Sequence, residues 1–75
     1  MLARIADLTP REREVLALIG QGKRSKQIAL HINRSVRTVH GHTAAISRKL
    51  GSATRAEMVR IALLSGLVSQ ATPAN

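Results

Sequence analysis

Hydrophobic residues recur every three or four positions along this chain, which is the spacing of one face of an α-helix. Four segments carry this pattern, and no segment alternates apolar and polar residues as a half-buried strand would. The apolar positions of the segments are, in order, Val15, Leu16, Leu18 and Ile19; Ile28, Ala29 and Ile32; Val36, Val39, Ile46 and Leu50; and Met58, Val59, Ile61, Ala62 and Leu63. The sequence therefore predicts an all-α fold of four short helices.

Capping residues mark where these helices begin. The run TPRE at 9–12 combines a capping threonine, a proline suited to the first helical position and a glutamate that completes a capping box. Thr54 and Glu57 repeat the capping-box spacing before the fourth segment. We expect the second helix to begin at Ser25 and the third to be capped by Ser35.

The ends of the helices are marked by glycine and asparagine. The glycines that follow the first, third and fourth segments are Gly20, Gly22, Gly51 and Gly66. The second helix stops near Asn33, because asparagine tolerates the left-handed conformation of a helix end. A turn of about three or four residues around Asn33 and Arg34 then joins the second and third helices, which predicts a helix-turn-helix whose latter helix enters a major groove.

Composition excludes several classes of function. With 75 residues the chain forms one small domain, and without cysteine it has no disulfide framework. Without aromatic residues it has no rings on which single-stranded bases stack, which argues against RRM and OB-type modules. No segment resembles a signal peptide or a membrane span, so we expect a cytoplasmic location.

The charge distribution favours a polyanionic partner. Lysine and arginine number 12 against 4 acidic residues, which gives a net charge of +8. No acid lies between Glu14 and Glu57, and that interval holds Lys23, Arg24, Lys26, Arg34, Arg37, Arg48, Lys49 and Arg55. A stretch of one sign is the electrostatic pattern of a nucleic-acid-binding surface. The alternative is that the charge serves solubility alone.

Two runs of residues resemble one bacterial family. LTPREREVL at 8–16, and the Thr, Val, His, Ile, Lys, Leu and Gly positions within 38–51, match the LuxR/GerE/NarL-type helix-turn-helix domain. The resemblance implies a four-helix DNA-binding domain of a transcriptional regulator, at residues 8–68. It divides the rest of the chain into a linker or N-terminal extension at 1–7 and a flexible tail at 69–75.

The same resemblance implies how the domain works in a longer protein. In this family it usually lies at the C-terminus, behind the receiver of a response regulator or a small-molecule-binding domain. Dimers form through the last helix, and no cofactor is needed. The sequence alone leaves open whether a signalling domain precedes this chain.

Candidates for contact with DNA bases lie on the third helix. By resemblance these residues are His40, Gly41 and Ala44, and Arg37 joins them because arginine often binds guanine through two hydrogen bonds. The alternative for Arg37, which lies at the start of the helix, is a contact with phosphate alone. The chain departs from the family here, since a long polar residue is common at position 40 and bulkier residues at 41 and 44. Two interpretations of Gly41 stay open: it lets the helix lie closer to DNA, or this face recognises few bases directly.

Candidates for contact with phosphate lie at helix N-termini and among nearby basic residues, because backbone N–H groups and the helix dipole attract anions there. They are Lys23, Arg24, Ser25, Lys26, Ser35, Thr38, Arg48 and Lys49. For each one the alternative is a solvated surface group. The cluster as a whole carries the prediction.

The histidines are not predicted to bind a metal. His40 and His42 are two positions apart and so point about 200° apart on a helix, and no carboxylate or cysteine stands near them. His42 belongs to the family pattern and lies at the edge of the apolar positions. We expect it to pack against the core and brace the helix-turn-helix.

The fourth helix is the candidate for dimerisation. Met58, Ala62 and Ser65 are spaced by four and three, beside Val59 and Leu63, which we assign to the core. The alternative is that all three cover the core of their own chain. We expect the isolated chain to dimerise weakly or only on DNA.

These patterns together predict a sequence-specific double-stranded DNA-binding regulator of transcription, with the third helix, about 36–50, in the major groove. The alternative, suggested by the small residues Gly41 and Ala44, is a module that binds RNA polymerase or another protein and contacts DNA weakly. An enzyme is not predicted, because no histidine has an evident carboxylate partner. A membrane-active peptide is disfavoured, since caps and glycine stops describe a packed domain.

Overall fold

The computed structural model describes residues 5–68. Its elements are a 3₁₀ turn at Ile5–Asp7 and four α-helices, α1 at Pro10–Gly20, α2 at Ser25–Ile32, α3 at Val36–Lys49 and α4 at Arg55–Leu64. Residues 5–68 contain no strand, so the all-α prediction is confirmed. The predicted tail at 69–75 and the first four residues of the predicted N-terminal extension lie outside the described residues.

Both predicted capping boxes are formed. Thr9 Oγ1 accepts a hydrogen bond from Glu12 N at 3.1 Å, and Glu12 Oε1 accepts one from Thr9 N at 2.9 Å. At the start of α4, Thr54 Oγ1 accepts from Glu57 N at 3.1 Å and Glu57 Oε1 accepts from Thr54 N at 2.7 Å. Local sequence therefore determines where α1 and α4 begin.

The turn between α2 and α3 has the predicted geometry. Asn33 takes a left-handed conformation with φ of 58°, and Arg34 N donates to the Ala29 carbonyl at 2.9 Å. Ser35 then caps α3, because its Oγ accepts a hydrogen bond from Thr38 N at 3.1 Å. These bonds set the angle between the two helices of the helix-turn-helix.

The core is built around α1, which packs against α3 and α4, while α2 packs against α3. The largest fully buried side chains come from the first three helices, and they are Val15, Leu16, Ile19, Ile28, Val39 and Ile46. Leu50 is buried and Val36 is half-buried. The predicted apolar faces of α1, α2 and α3 are thus the faces that form the core.

The orientation predicted for α4 is wrong for Met58, Ala62 and Leu63, while Val59 packs against the core as predicted. Met58 and Ala62 are buried, and they cover this chain's own core, whereas Val59 and Leu63 are only half-buried. The reason is a close approach between α4 and α1, where a Cβ placed on Gly20 would lie 2.6 Å from Ala62 Cβ. Met58 and Ala62 are therefore corrected from dimer contacts to core residues.

Within the described range, no helix combines the length and the apolar character that crossing a bilayer requires.

Candidate nucleic-acid interface

The four candidates for base contact share one side of α3. Arg37, His40, Gly41 and Ala44 are all exposed, and we call them the outward face of α3. Their spacing of three and four places them on one side of the helix, while Val39 and Ile46 are fully buried on the other. The structure therefore brings together the residues that the sequence nominated, on a surface open to a ligand.

The N-terminus of α3 lies next to this face. Ser35 Oγ and Thr38 Oγ1 are 3.1 Å apart and share a hydrogen bond, with Ser35 exposed and Thr38 half-buried. Arg34 is also exposed, and its Nη1 donates to the Asn33 carbonyl at 3.1 Å. Arg34 was predicted as part of the basic stretch but not as a site residue, although its position before the predicted cap Ser35 could have indicated a phosphate contact. Two arginines, at 34 and 37, flank this helix start, which itself favours an anion.

A second basic group surrounds the N-terminus of α2. Lys23, Arg24 and Lys26 are exposed and Ser25 is half-buried. Arg24 N donates to Gln27 Oε1 at 2.8 Å, which positions the first turn of the helix. These are the groups predicted to contact phosphate, and the structure places them together at one helix end.

The loop before α2 is also tied to α4. Arg55 Nη2 donates a hydrogen bond to the carbonyl oxygen of Lys23. The two residues are 32 positions apart, so no local pattern indicated this contact. Through it, the beginning of α4 helps to position the basic residues at the α2 N-terminus.

Lys49 forms an ion pair within the chain at the far end of α3. Its Nζ donates a hydrogen bond to Glu12 Oε1 at 2.8 Å, and the Glu12 side chain is only 9% exposed. Because the ammonium group is held in this intramolecular ion pair, Lys49 is left out of the phosphate contacts proposed below, and its contact with phosphate stays a prediction. Arg48 is exposed and remains a candidate at this end of α3.

The ion pair changes the titration of Glu12. The pKa of Glu12 lies below its ordinary value, chiefly because the Lys49 side chain donates a hydrogen bond to its carboxylate. Burial acts in the opposite direction, and hydrogen bonds from Thr9 together with the Lys49 charge add to the lowering. The capping-box spacing predicted Glu12 only as a capping residue and contained no signal for its ion pair with Lys49.

The histidines occupy different surroundings. His31 and His40 are exposed, and His42 is half-buried beside the core face of α3. Within residues 5–68, no three side chains of the His, Cys, Asp and Glu types lie together in a group that could hold a metal ion.

A shallow depression of about 300 Å³ lies between α1 and α2, away from the outward face of α3. It is lined by Leu18, Lys23, Gln27, Leu30 and His31, and we call it the Leu30 surface. Leu30 is 81% exposed.

Similarity to known proteins covers most of the chain. Residues 6–62 match the family model described as bacterial regulatory proteins, luxR family. The chain is 44% identical over 61 residues to the response regulator Rre1 of Synechocystis sp.. It is 41% identical over 63 residues to the transcriptional regulatory protein MctR of Rhizobium johnstonii. It is also 42% identical over 72 residues to the transcriptional regulatory protein FixJ of Azorhizobium caulinodans.

These relatives are much longer than the chain. The alignments cover 81%, 84% and 93% of this chain but only 26%, 29% and 34% of Rre1, MctR and FixJ respectively. The chain thus spans about a quarter to a third of the length of the curated relatives it matches.

Proposed function

The chain belongs to the luxR family of bacterial regulatory proteins, and we propose that it binds specific duplex DNA sequences with α3 in the major groove. The resemblance noted in the sequence is thereby confirmed, and the function of the domain is DNA binding in the regulation of transcription. The family does not favour the alternative of a protein-interaction module that contacts DNA only weakly.

The observation that carries the proposed placement is the outward face of α3. The helix has 14 residues and so is about 21 Å long. One side is buried and the other is exposed, and the major groove is wide enough to admit an α-helix. Arg37 and His40 lie in the N-terminal half of this face, which is the part of a recognition helix that contacts base edges.

Contacts to phosphate are proposed at the two helix N-termini and at the far end of α3. Exposed basic side chains stand at each place, and polar residues at the helix starts add donors. The proposed set is Lys23, Arg24, Ser25, Lys26, Arg34, Ser35, Thr38 and Arg48. Such contacts fix the orientation of the domain on the duplex, while base contacts supply the sequence preference.

The domain is proposed to be the C-terminal part of a longer, signal-responsive regulator. Support comes from the names of the relatives, which include a response regulator, and from their greater length. In this proposal residues 8–68 form the DNA-binding domain, and residues 1–7 belong to the linker before it.

Dimerisation on DNA is proposed through the exposed side of α4. With Met58 and Ala62 buried, the residues that remain accessible there include Leu64, which is 74% exposed, and Ser65. Covering Leu64 with a second copy of the domain would remove its apolar side chain from water, which favours association. A two-fold dimer would bind two half-sites about one helical turn of DNA apart.

Contact with RNA polymerase and a cytoplasmic location complete the proposal. A bound regulator acts on transcription through other proteins, and on the Leu30 surface the exposed Leu30 side chain offers one apolar contact among polar neighbours. The domain is proposed to act by binding alone, without catalysis and without a cofactor, as a member of a family of DNA-binding regulators.

The test is selection of binding sequences from a randomised duplex library with this chain. The selected duplex and a scrambled control are then titrated over a series of salt concentrations. We expect a palindromic or repeated motif, bound at least about a hundredfold more tightly than the control, because each mismatched pair costs about 1–3 kcal/mol. Binding that depends on salt but not on sequence would contradict the proposal.

A further inference from the structure

Gly41 is exposed in the middle of α3, and nothing in residues 5–68 requires a glycine there. Among residues 5–68, a Cβ placed on Gly41 would have no neighbouring atom within 4 Å. Of the other four glycines, three have positive φ angles and Gly20 has no space for a Cβ beside Ala62. Glycine is also the poorest helix former after proline. The missing side chain at position 41 therefore points to a requirement outside the domain.

The requirement concerns the surface that contacts DNA. Ala44 is exposed one turn after Gly41 on the outward face, so a backbone and a single methyl group form the centre of this face. Neither residue has a side-chain group that donates or accepts a hydrogen bond. Polar side chains lie to both sides, Arg37 and His40 before this centre and Arg48 after it. The centre of the face is thus apolar and recessed between longer side chains.

A recessed apolar surface in the major groove fits one feature of the base edges. Among the four bases, thymine alone presents a methyl group there, and alanine is a side chain that contacts it. We propose that Gly41 and Ala44 receive the C5-methyl group of a thymine, so that each half-site of the operator has a thymine opposite the centre of α3. This inference rests on the proposed function and specifies the class of sequence that the domain recognises.

The first test removes only the methyl group from the DNA. Each thymine of the selected duplex is replaced in turn by uracil, and the affinity of the chain is measured at fixed salt. At one position in each half-site, uracil is expected to weaken binding about three- to fivefold, the effect of losing one buried methyl group. At the other thymines the affinity is expected to stay unchanged.

The second test fills the space in the protein. Gly41→Ala adds one methyl group where the thymine methyl is received, so we expect its affinity for the thymine duplex to fall at least about fivefold. On the duplex with uracil at the critical position, the loss is expected to be much smaller. The variant is expected to fold, with a Tm about 2–8 °C higher than the parent, because alanine favours the helix.

Lys26→Ala serves as the control. It removes a proposed phosphate contact, so its binding to thymine and uracil duplexes is expected to fall by the same factor. This distinguishes a general loss of affinity from a loss that depends on the methyl group.

The outcomes separate this inference from the proposed function. If a specific sequence is selected but uracil is tolerated at every thymine, or the sequence contains no thymine, the inference is wrong and the proposed function stands. The inference is equally wrong if Gly41→Ala weakens binding to both duplexes alike. If the chain prefers no sequence, both the thymine inference and the proposed sequence-specific binding are overturned.

Discussion

Lys49 Nζ donates a hydrogen bond to Glu12 Oε1 at 2.8 Å, and this ion pair joins two helix ends that are 37 residues apart in the sequence. Glu12 Oε1 also accepts the backbone hydrogen bond from Thr9 that caps α1. One carboxylate oxygen therefore holds the first turn of α1 and the last residue of α3. Since α3 is the proposed recognition helix, this pair fixes the end of that helix relative to the core.

The first prediction concerns the charge of Glu12. Glu12→Gln keeps an oxygen that accepts the Thr9 hydrogen bond but removes the partner of the Lys49 ammonium. We expect the free energy of unfolding to fall by about 1–2 kcal/mol, since a charge-assisted hydrogen bond is lost at a site that is partly exposed. Thermal unfolding followed by circular dichroism measures this as a Tm lower by about 4–16 °C.

Glu14→Gln is the matched control for this substitution. Glu14 lies on the same helix and pairs with Arg11 at 3.1 Å, but both side chains are well exposed, 38% and 43% for Arg11 and Glu14. Its removal is expected to change the free energy of unfolding by less than about 0.5 kcal/mol. Equal effects of the two substitutions would show that burial does not strengthen the Glu12 pair.

The second prediction is a loss of stability in acid. The pKa of Glu12 is lower in the folded chain than in the unfolded chain, mainly because of the Lys49 hydrogen bond, so the unfolded state binds a proton first as the pH falls. The stability from the ion pair is therefore complete above the unfolded pKa of glutamate, about 4.3. It is lost as the pH falls through the folded pKa.

Urea unfolding between pH 7 and pH 3 tests this prediction. The difference in the free energy of unfolding between the parent and Glu12→Gln is expected to be constant near neutral pH and to shrink in acid. If the difference at pH 3 were as large as the difference at pH 7, protonation of Glu12 would not be the cause of the lost stability.

The third prediction separates the two basic residues at the end of α3. The slope of log affinity against log salt concentration is negative. Arg48→Ala is expected to reduce its magnitude by about one, because one phosphate contact is lost. Lys49→Met is expected to leave that slope unchanged, because its ammonium binds Glu12. Fluorescence anisotropy titrations over a salt series measure both slopes. A slope of smaller magnitude for Lys49→Met would return this residue to the DNA interface.

The fourth prediction concerns the proposed dimer. Leu64→Ala removes an exposed apolar side chain from α4, and in a two-fold interface each substitution acts twice. We expect cooperative binding to a two-half-site operator to weaken at least about tenfold, with binding to a single half-site unchanged. Leu30→Ala is the matched control, since Leu30 is exposed to a similar degree but lies on α2. A loss of cooperativity in Leu30→Ala alone would place the dimer contact on the Leu30 surface.

The sequence predicted the parts of the fold that depend on neighbouring residues. The caps Thr9, Ser35 and Thr54 act on backbone groups three residues away, and the left-handed Asn33 ends a helix by its own conformation. Each of these signals is complete within one helical turn. The spacing of Val39 and Ile46 also lies within a single helix, and it was enough to predict which side of α3 is exposed.

Features that depend on distant contacts were not predictable in this way. Apolar residues occur nearly all around α4, so spacing alone did not show that Met58 and Ala62 face the core, which the close approach of Gly20 decides. Nothing in the residues next to Lys49 indicated its ion pair, because its partner Glu12 lies 37 positions away in the sequence. The buried side was therefore predicted correctly for α1, α2 and α3, which are apolar on one side only. The orientation of α4 and the ion pair between Glu12 and Lys49 were not predicted.

The exposed centre of α3 has a consequence for how this domain can evolve. Gly41 and Ala44 have no role in the core, so replacing them changes what the helix presents to DNA without removing a packing contact. At Gly41 almost any replacement other than proline would begin with a gain in helix stability. New operator preferences are thus open to this chain by single mutations at Gly41 that selection for folding does not oppose.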